Sequence, residues 1–238
     1  MSLQARDVVS GYGKIEIVHG VSLEAEKSKI TGIIGPNGSG KSTFLKTLYG
    51  FVKPWGGSVA FDGKDMTGGD PSGMLRSGIG YLMQRRSTFP YLTVHQNLKL
   101  GGWLFGRDEQ KKHKAEEEVY ENFPQLRARK NTLAGSLSGG EQRMIELGRV
   151  LMTKPKLILV DEFSTGLSPK IFKMLYAKLT QMSSEQKTTI LAVDQNVVEV
   201  ANVADYMYVF RLGKIQMEGP ASDFRGRLEQ VTASWLHV

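Results

Sequence analysis

The sequence predicts an α/β fold whose central sheet is mostly parallel, and three stretches carry that prediction. Lys156-Leu157-Ile158-Leu159-Val160 and Thr189-Ile190-Leu191-Ala192-Val193 are nearly continuous apolar runs. Parallel strands covered on both faces have that pattern. A third apolar run, Ile30-Thr31-Gly32-Ile33-Ile34, feeds a glycine-rich turn and then Phe44-Leu45-Lys46-Thr47-Leu48, which repeats at helical spacing. Strand, tight turn and helix in that order form the context that a phosphate-binding loop needs.

The other elements follow in order. Residues 3–10 and 18–25 alternate apolar and polar side chains, as half-buried strands do, with the turn-rich Ser10-Gly11-Tyr12-Gly13 between them. They predict an N-terminal antiparallel β-subdomain. After the helix at 44–48, Lys53-Pro54-Trp55-Gly56-Gly57 reads as a connection, and Ser58-Val59-Ala60-Phe61 as a strand running into the Asp62-Gly63 turn. Gly80-Tyr81-Leu82-Met83 is a short strand that ends at Gln84. From about residue 94 to 152 helical periodicity dominates, broken at Gly101-Gly102, at Phe123-Pro124 and around Gly135. Residues 85–154 therefore read as a helical subdomain inserted into a core formed by 1–84 and 155–238. Residues 169–183 fit a crossover helix between the two buried strands. Residues 206–210 and 214–217 form a hairpin around Arg211-Leu212-Gly213, and a helical tail carries Trp235.

Composition narrows the function. A chain of 238 residues holds one large α/β domain with an insertion. No segment approaches the ~20 apolar residues of a membrane span, and Met1-Ser2-Leu3-Gln4-Ala5-Arg6-Asp7 lacks the apolar core of a secretory signal. The absence of cysteine excludes disulfides and thiolate metal sites. A soluble cytoplasmic protein is expected. The formal charge of +7 is spread along the chain, and Lys111-Lys112-His113-Lys114 runs almost directly into Glu116-Glu117-Glu118. That is a solvated helix with Lys/Glu pairs, so no direct nucleic-acid contact is expected. His19, His95, His113 and His237 match no metal-ligand spacing.

Gly35-Pro36-Asn37-Gly38-Ser39-Gly40-Lys41-Ser42-Thr43 carries the first chemistry. Its glycines let consecutive N–H groups point into one concavity where phosphate oxygens accept them, and the following helix adds its positive N-terminal end. Lys41 brings a mobile charge to the outer phosphates, and the Ser42 hydroxyl is a ligand for Mg²⁺. A nucleoside triphosphate is implied. The buried strand 157–160 ends in Asp161-Glu162. Asp161 is placed to hold Mg²⁺, and Glu162 to polarise a water for in-line attack on the γ-phosphate. Leu137-Ser138-Gly139-Gly140-Glu141-Gln142 opens an amphipathic run. Taken alone it is a capping box, Ser138 with Glu141 three residues on. It is also a second anion site, two glycines exposing N–H groups beside a hydroxyl. It lies about twenty residues ahead of the Asp-Glu pair and about a hundred after Lys41.

With these motifs in that order, the sequence resembles the ATP-binding subunits of ABC transporters over essentially its whole length. Ser138–Glu141 resembles the family's defining motif. Tyr12 matches the aromatic that stacks on adenine, and Val18 joins it in the nucleotide-binding set. Gln84 matches the glutamine that links the Mg²⁺ site to the helical subdomain. The resemblance implies a P-loop ATPase that binds ATP and Mg²⁺. It also implies a head-to-tail pair of subunits, each ATP lying between one phosphate loop and the partner's Ser138–Glu141 segment. Two departures stand out. Where the family usually has a His after the last core strand, this chain has Gln195, and where many members have Asp it has Ser168, in Gly166-Leu167-Ser168-Pro169. Both are similar to the ATPases of branched-chain amino-acid importers, as is the stretch Arg85-Arg86-Ser87-Thr88-Phe89-Pro90-Tyr91-Leu92-Thr93-Val94.

The expectation is an ATPase subunit that drives a membrane importer from the cytoplasmic face, for branched-chain or related amino acids, with the permease docking around Arg85–Leu92. Gln195 orients the γ-phosphate and the attacking water, leaving Glu162 as the base. An exporter or lipid-transport ATPase would share every catalytic residue. A nucleic-acid or ribosome-directed relative would usually carry two ATPase units or a coiled-coil insertion. A GTPase would need an Asn-Lys-x-Asp motif, which the chain lacks.

Overall fold

The computed structural model describes residues 2–163 and 165–226. The chain begins with β1 (Leu3–Tyr12), β2 (Ile15–Ala25) and β3 (Ile30–Ile34), then α1 (Lys41–Leu48), β4 (Gly56–Phe61) and β5 (Lys64–Asp65). Next come α2 (Pro71–Arg76), β6 (Ile79–Leu82), α3 (Val94–Gly101), α4 (Glu109–Asn122), α5 (Pro124–Ala128) and α6 (Gly139–Leu151). It continues through β7 (Leu157–Asp161), α7 (Pro169–Gln186), β8 (Thr189–Val193), α8 (Val197–Val203), β9 (Tyr206–Arg211), β10 (Lys214–Pro220) and α9 (Ala221–Arg225). The tail expected around Trp235 lies outside the described residues.

Two sheets organise these elements. The first has the order β2-β1-β4-β5 and is antiparallel throughout. The second has the order β10-β9-β3-β8-β7-β6, and only β10 runs antiparallel to its neighbour. The buried runs become the centre of the second sheet because period-2 alternation supplies apolar residues to both faces. Leu157, Leu159, Leu191 and Val193 face α1 and the first sheet, packing with Phe44, Leu45 and Leu48. Ile158, Val160, Ile190 and Ala192 face the other way, toward Ile145, Leu175 and Leu179. Helix α1 is thus held between the sheets, which fixes the loop in front of it.

Local chemistry sets the ends of the helices. Asp70 caps α2 by accepting from the Gly73 N–H, with Pro71 in the first turn. Thr93 with Gln96 and Ser138 with Glu141 form complete capping boxes at α3 and α6. The breaks expected among the helices fall at a 3₁₀ turn beginning at Gly102, at Phe123 between α4 and α5, and at a 3₁₀ turn over Ala134–Ser136.

The first hairpin is longer than its alternation suggested. β1 runs through Ser10 and Gly11 to Tyr12, leaving only Gly13 and Lys14 as the turn. Register shifts between Val8 and Ser10 and between Ser10 and Gly11 mark bulges, and these hid the strand from a strict period-2 reading. Among the described residues, no helix is long and apolar enough to cross a membrane.

Candidate nucleotide-binding and hydrolysis site

Strands β6, β7, β8 and β3 are parallel neighbours, so their C-terminal ends lie along one edge of the sheet. In open α/β sheets this is the edge that receives ligands. Gln84 follows β6, Asp161 ends β7 with Glu162 next, Gln195 follows β8, and Lys41 and Ser42 open the helix after β3. Four segments spread over the sequence thus converge.

The loop after β3 is shaped by its glycines. Gly35 has φ 154°, and a Cβ there would come within 2.2 Å of the Phe210 carbonyl oxygen. Gly40 caps α1 with φ 101°, a left-handed conformation that costs a side-chain-bearing residue dearly. The β9–β10 turn braces the loop from above, where the Gly213 N–H donates to the Ser39 carbonyl at 2.9 Å. Lys41 is only 3% exposed, and its Nζ donates to the Gly35 and Pro36 carbonyls at 2.8 Å each. Burial lowers the Lys41 pKa, and the carboxylates of Glu162 and Asp161 work against that shift. Nζ also lies 3.3 Å from Ser39 Oγ, so the ammonium is held by the loop's own oxygens.

Gly38–Thr43, Ile17 and Glu162 line a cleft of about 190 Å³. That is smaller than the ~300 Å³ at which ligand pockets usually begin, a size that suits phosphates better than a whole nucleotide. Tyr12, 47% exposed at the end of β1, stands on the outer hairpin with Ile15 opposite it. Val18 does not join them. Its side chain is fully buried in the core between the sheets, and Ile17 occupies the cleft wall in its place. The reason is a bulge. Gly20 takes φ 68°, and Val18 and Val21, three residues apart, both point inward.

Asp161 is 1% exposed and accepts from Ser42 Oγ at 2.7 Å and from Tyr81 Oη at 2.9 Å. Burial and the Asp161 charge raise the Tyr81 pKa, so its hydroxyl remains a donor. A hydroxyl, a carboxylate and the nearby carboxamide of Gln84 form a hard-oxygen donor set. It suits Mg²⁺, which characteristically takes one or two protein ligands and completes its shell with water and substrate phosphates. Among the described residues, no group of three His, Cys, Asp or Glu side chains is placed to hold a metal. The residues present fit Mg²⁺ held by Ser42 and Asp161 beside the phosphates. There it would neutralise developing phosphate charge.

Glu162 is the strained member. Its φ of 43° is left-handed, a conformation that costs a non-glycine residue about 1–3 kcal/mol. The surrounding bonds hold it: its N–H donates to the Val193 carbonyl at 2.8 Å, and Thr165 Oγ1 donates to its carbonyl at 3.1 Å. Its Oε2 accepts from Gln84 Nε2 at 2.5 Å and from Gln195 Nε2 at 2.7 Å. Two carboxamides, from the segments after β6 and β8, therefore aim the carboxylate after β7. Behind Gln195, buried Asp194 accepts from Tyr176 Oη at 2.8 Å.

The structure brings Lys41, Ser42, Asp161, Glu162, Gln84 and Gln195 together and leaves Ser138–Glu141 apart. Ser138 is exposed at the start of α6, and none of the four lines the phosphate cleft. Ser138 Oγ donates to Glu141 Oε2 at 2.7 Å, which holds the Glu141 pKa below the usual carboxylate range. Tyr81 and Ile17 were not singled out in the sequence. Tyr81 pairs with Leu159, which shares a face with Asp161, so β6–β7 pairing is the signal that identifies it.

Residues 18–165 match the ABC transporter family. The chain is 40% identical over 206 residues to the high-affinity branched-chain amino acid transport ATP-binding protein BraG of Pseudomonas aeruginosa, covering 87% of each. It is 33% identical to the lipopolysaccharide export system ATP-binding protein LptB of Haemophilus influenzae, covering 91% of this chain and 90% of that one. Its fold superposes with a TM-score of 0.88 on the ADP conformation of MJ1267, an ATP-binding cassette of an ABC transporter, at 29% identity over 100% of this chain and 99% of the other. On its motifs, its site and its fold, the chain belongs to the ABC transporter family, as an ATP-binding subunit.

Proposed function

We propose that this chain hydrolyses Mg²⁺-bound ATP to drive a membrane importer of branched-chain or related hydrophobic amino acids. The observation that carries the catalytic part is the Glu162 carboxylate, held by Gln84 and Gln195 beside the Lys41–Ser42 loop and Asp161. In this reading Lys41 and the N–H groups of Asn37–Thr43 take the phosphates and Tyr12 stacks on the base. Ser42 and Asp161, with Gln84, hold the cation, and Glu162 accepts the proton of the attacking water. Gln84 and Gln195 orient that carboxylate. Carboxamides do not take up protons at neutral pH, which leaves the base role to Glu162.

The import part rests on the 40% identity to BraG, above the 33% to LptB, together with Gln195 and Ser168. The chain works as a head-to-tail pair, in which Ser138, Gly139, Gly140 and Glu141 of one subunit close over the other's phosphate loop. Support for pairing comes from the small, open phosphate cleft and the exposed Ser138, two anion-binding elements that one chain does not bring together. Residues 85–154 act as a helical subdomain whose Arg85–Leu92 edge meets the permease at the cytoplasmic face of the membrane.

The test has two arms. ATPase of the purified chain with and without Mg²⁺, and with Lys41→Ala, addresses hydrolysis. Leucine, isoleucine and valine uptake in cells lacking the gene addresses the substrate. Normal uptake in those cells, with ATPase intact in vitro, would remove the amino-acid reading alone.

A further inference from the structure

The helix that begins at Ser138 carries a second buried device that the hydrolysis scheme does not use. Arg143 and Glu146 lie one turn apart on α6, 2% and 3% exposed, and pair through Nη1 and Oε2 at 2.7 Å. Both reach across to the segment after β6. Arg143 Nη1 donates to the Met83 carbonyl at 2.9 Å and Nη2 to the Gln84 carbonyl at 2.5 Å. Glu146 Oε1 accepts from the N–H groups of Ser87 and Thr88. The guanidinium carbon also sits 4.7 Å from the ring centroid of Phe163, the fully buried residue that follows Glu162.

One side chain therefore touches the backbone of Gln84 and the residue beside Glu162, while the Gln84 side chain donates to Glu162. The path from Arg143, in the second turn of α6, to the Glu162 carboxylate is two hydrogen bonds long. An apolar pair of similar volume would fill the same space without burying charge, and buried ion pairs are in general no more stabilising than such replacements. Arg143 Nε even lacks an acceptor among the described residues, so the pair is not optimised for satisfaction. What it does supply is direction: a planar fork on two successive carbonyls fixes the orientation of residues 83 and 84 in a way a point charge does not.

We propose that Arg143, set by Glu146, is a positioning residue for hydrolysis, converting the placement of the Ser138–Glu141 end of α6 into the placement of Gln84 and hence of Glu162. This rests on the reading of the chain as an ATPase. When α6 engages a nucleotide at its N-terminus, its shift is transmitted through the guanidinium to the Gln84 carbonyl.

The experiment measures kcat, KM for ATP and melting temperature of the full chain in three forms. These are wild type, the Arg143→Met/Glu146→Leu double variant, and Arg143→Lys. The double variant removes both charges together, so no unpaired ion is left buried. Arg143→Lys keeps the charge and loses the fork. Both variants are expected to keep KM within about 2-fold, with kcat lowered about 2- to 30-fold, the range for residues that couple sites without touching ligand. The melting temperature of Arg143→Lys should not follow its kcat. Wild-type kcat in Arg143→Lys, or in a folded double variant, overturns the inference, and if the double variant does not fold, Arg143→Lys decides. A wild-type chain that does not hydrolyse ATP at all would instead strike the ATPase reading.

Discussion

Gln195 donates from Nε2 to Glu162 Oε2 at 2.7 Å, so a side chain two residues past β8 aims the carboxylate after β7. A carboxamide both donates and accepts but does not take up a proton at neutral pH, which makes Gln195 an orienter. A donor preorganised at developing phosphate charge, the role expected of Gln195 once ATP is bound, is typically worth about 10²-fold in turnover. Gln195→Ala should slow single-turnover hydrolysis by about that factor, with ATP affinity much less affected. Gln195→His should keep substantial activity, because a neutral imidazole still donates one hydrogen bond. An Ala variant as fast as wild type would reduce Gln195 to a strand-end residue.

Glu162→Gln should separate binding from chemistry. The carboxamide preserves the shape but removes the basic oxygen, so hydrolysis should fall by about 10² or more while ATP still binds. The same variant should trap the paired state. Sedimentation with Mg²⁺-free ATP is expected to show a dimer, and without nucleotide a monomer. A monomer in both conditions at high protein concentration would count against the closure of Ser138 over a partner's loop.

Tyr81→Phe should weaken the cation site selectively. Asp161 keeps its bond from Ser42 but loses the one from Tyr81, and its carboxylate is freer to rotate. Loss of such a supporting bond typically costs about 10-fold in metal affinity. Calorimetric titration of Mg²⁺ into the chain with a non-hydrolysed ATP analogue should show that loss. Affinity for the analogue without Mg²⁺ should hold. Unchanged Mg²⁺ affinity would mean that Ser42 alone orients Asp161.

The parts of this site that the sequence displays are those whose chemistry is local. The phosphate loop, the Asp161-Glu162 strand end and the Ser138 capping box each need only a few consecutive residues, and each sits in the element expected of it. Features that depend on strand pairing or on packing across segments stay hidden. Tyr81 reaches Asp161 because β6 lies beside β7, and nothing in either strand alone announces that pairing. Ile17 replaces Val18 at the cleft because of a bulge near Gly20. Arg143 and Glu146 read as polar residues on an amphipathic helix until residues 83–88 are laid against them. Helices α2 and α8 are six and seven residues long, too short for periodicity to reveal.

The apolar run after Gln84 yields the last prediction, which the structure sharpens. Tyr91 is 89% exposed and Phe89 50%, whereas Leu92 is half-buried. Hydrogen bonds pin the backbone beneath them. The Phe89 N–H donates to Asn97 Oδ1 at 2.9 Å, Asn97 Nδ2 donates to the Phe89 and Leu92 carbonyls, and the Gly135 N–H donates to the Pro90 carbonyl at 2.9 Å. The Phe89 ring lies 5.6 Å from the Arg149 guanidinium carbon, whereas Tyr91 stands almost wholly in solvent on the pinned loop, as a contact for another subunit would. Tyr91→Glu should therefore change stability by no more than about 0.5 kcal/mol, the usual range for a surface site. It should leave the isolated subunit's ATPase intact and abolish transport by the assembled system. Leu92→Glu should differ, because it forces a charge into a half-buried position and lowers the melting temperature as well. Transport that survives Tyr91→Glu would move the permease contact elsewhere. A Tyr91→Glu chain that fails to fold would show that this ring belongs to the subdomain's own packing.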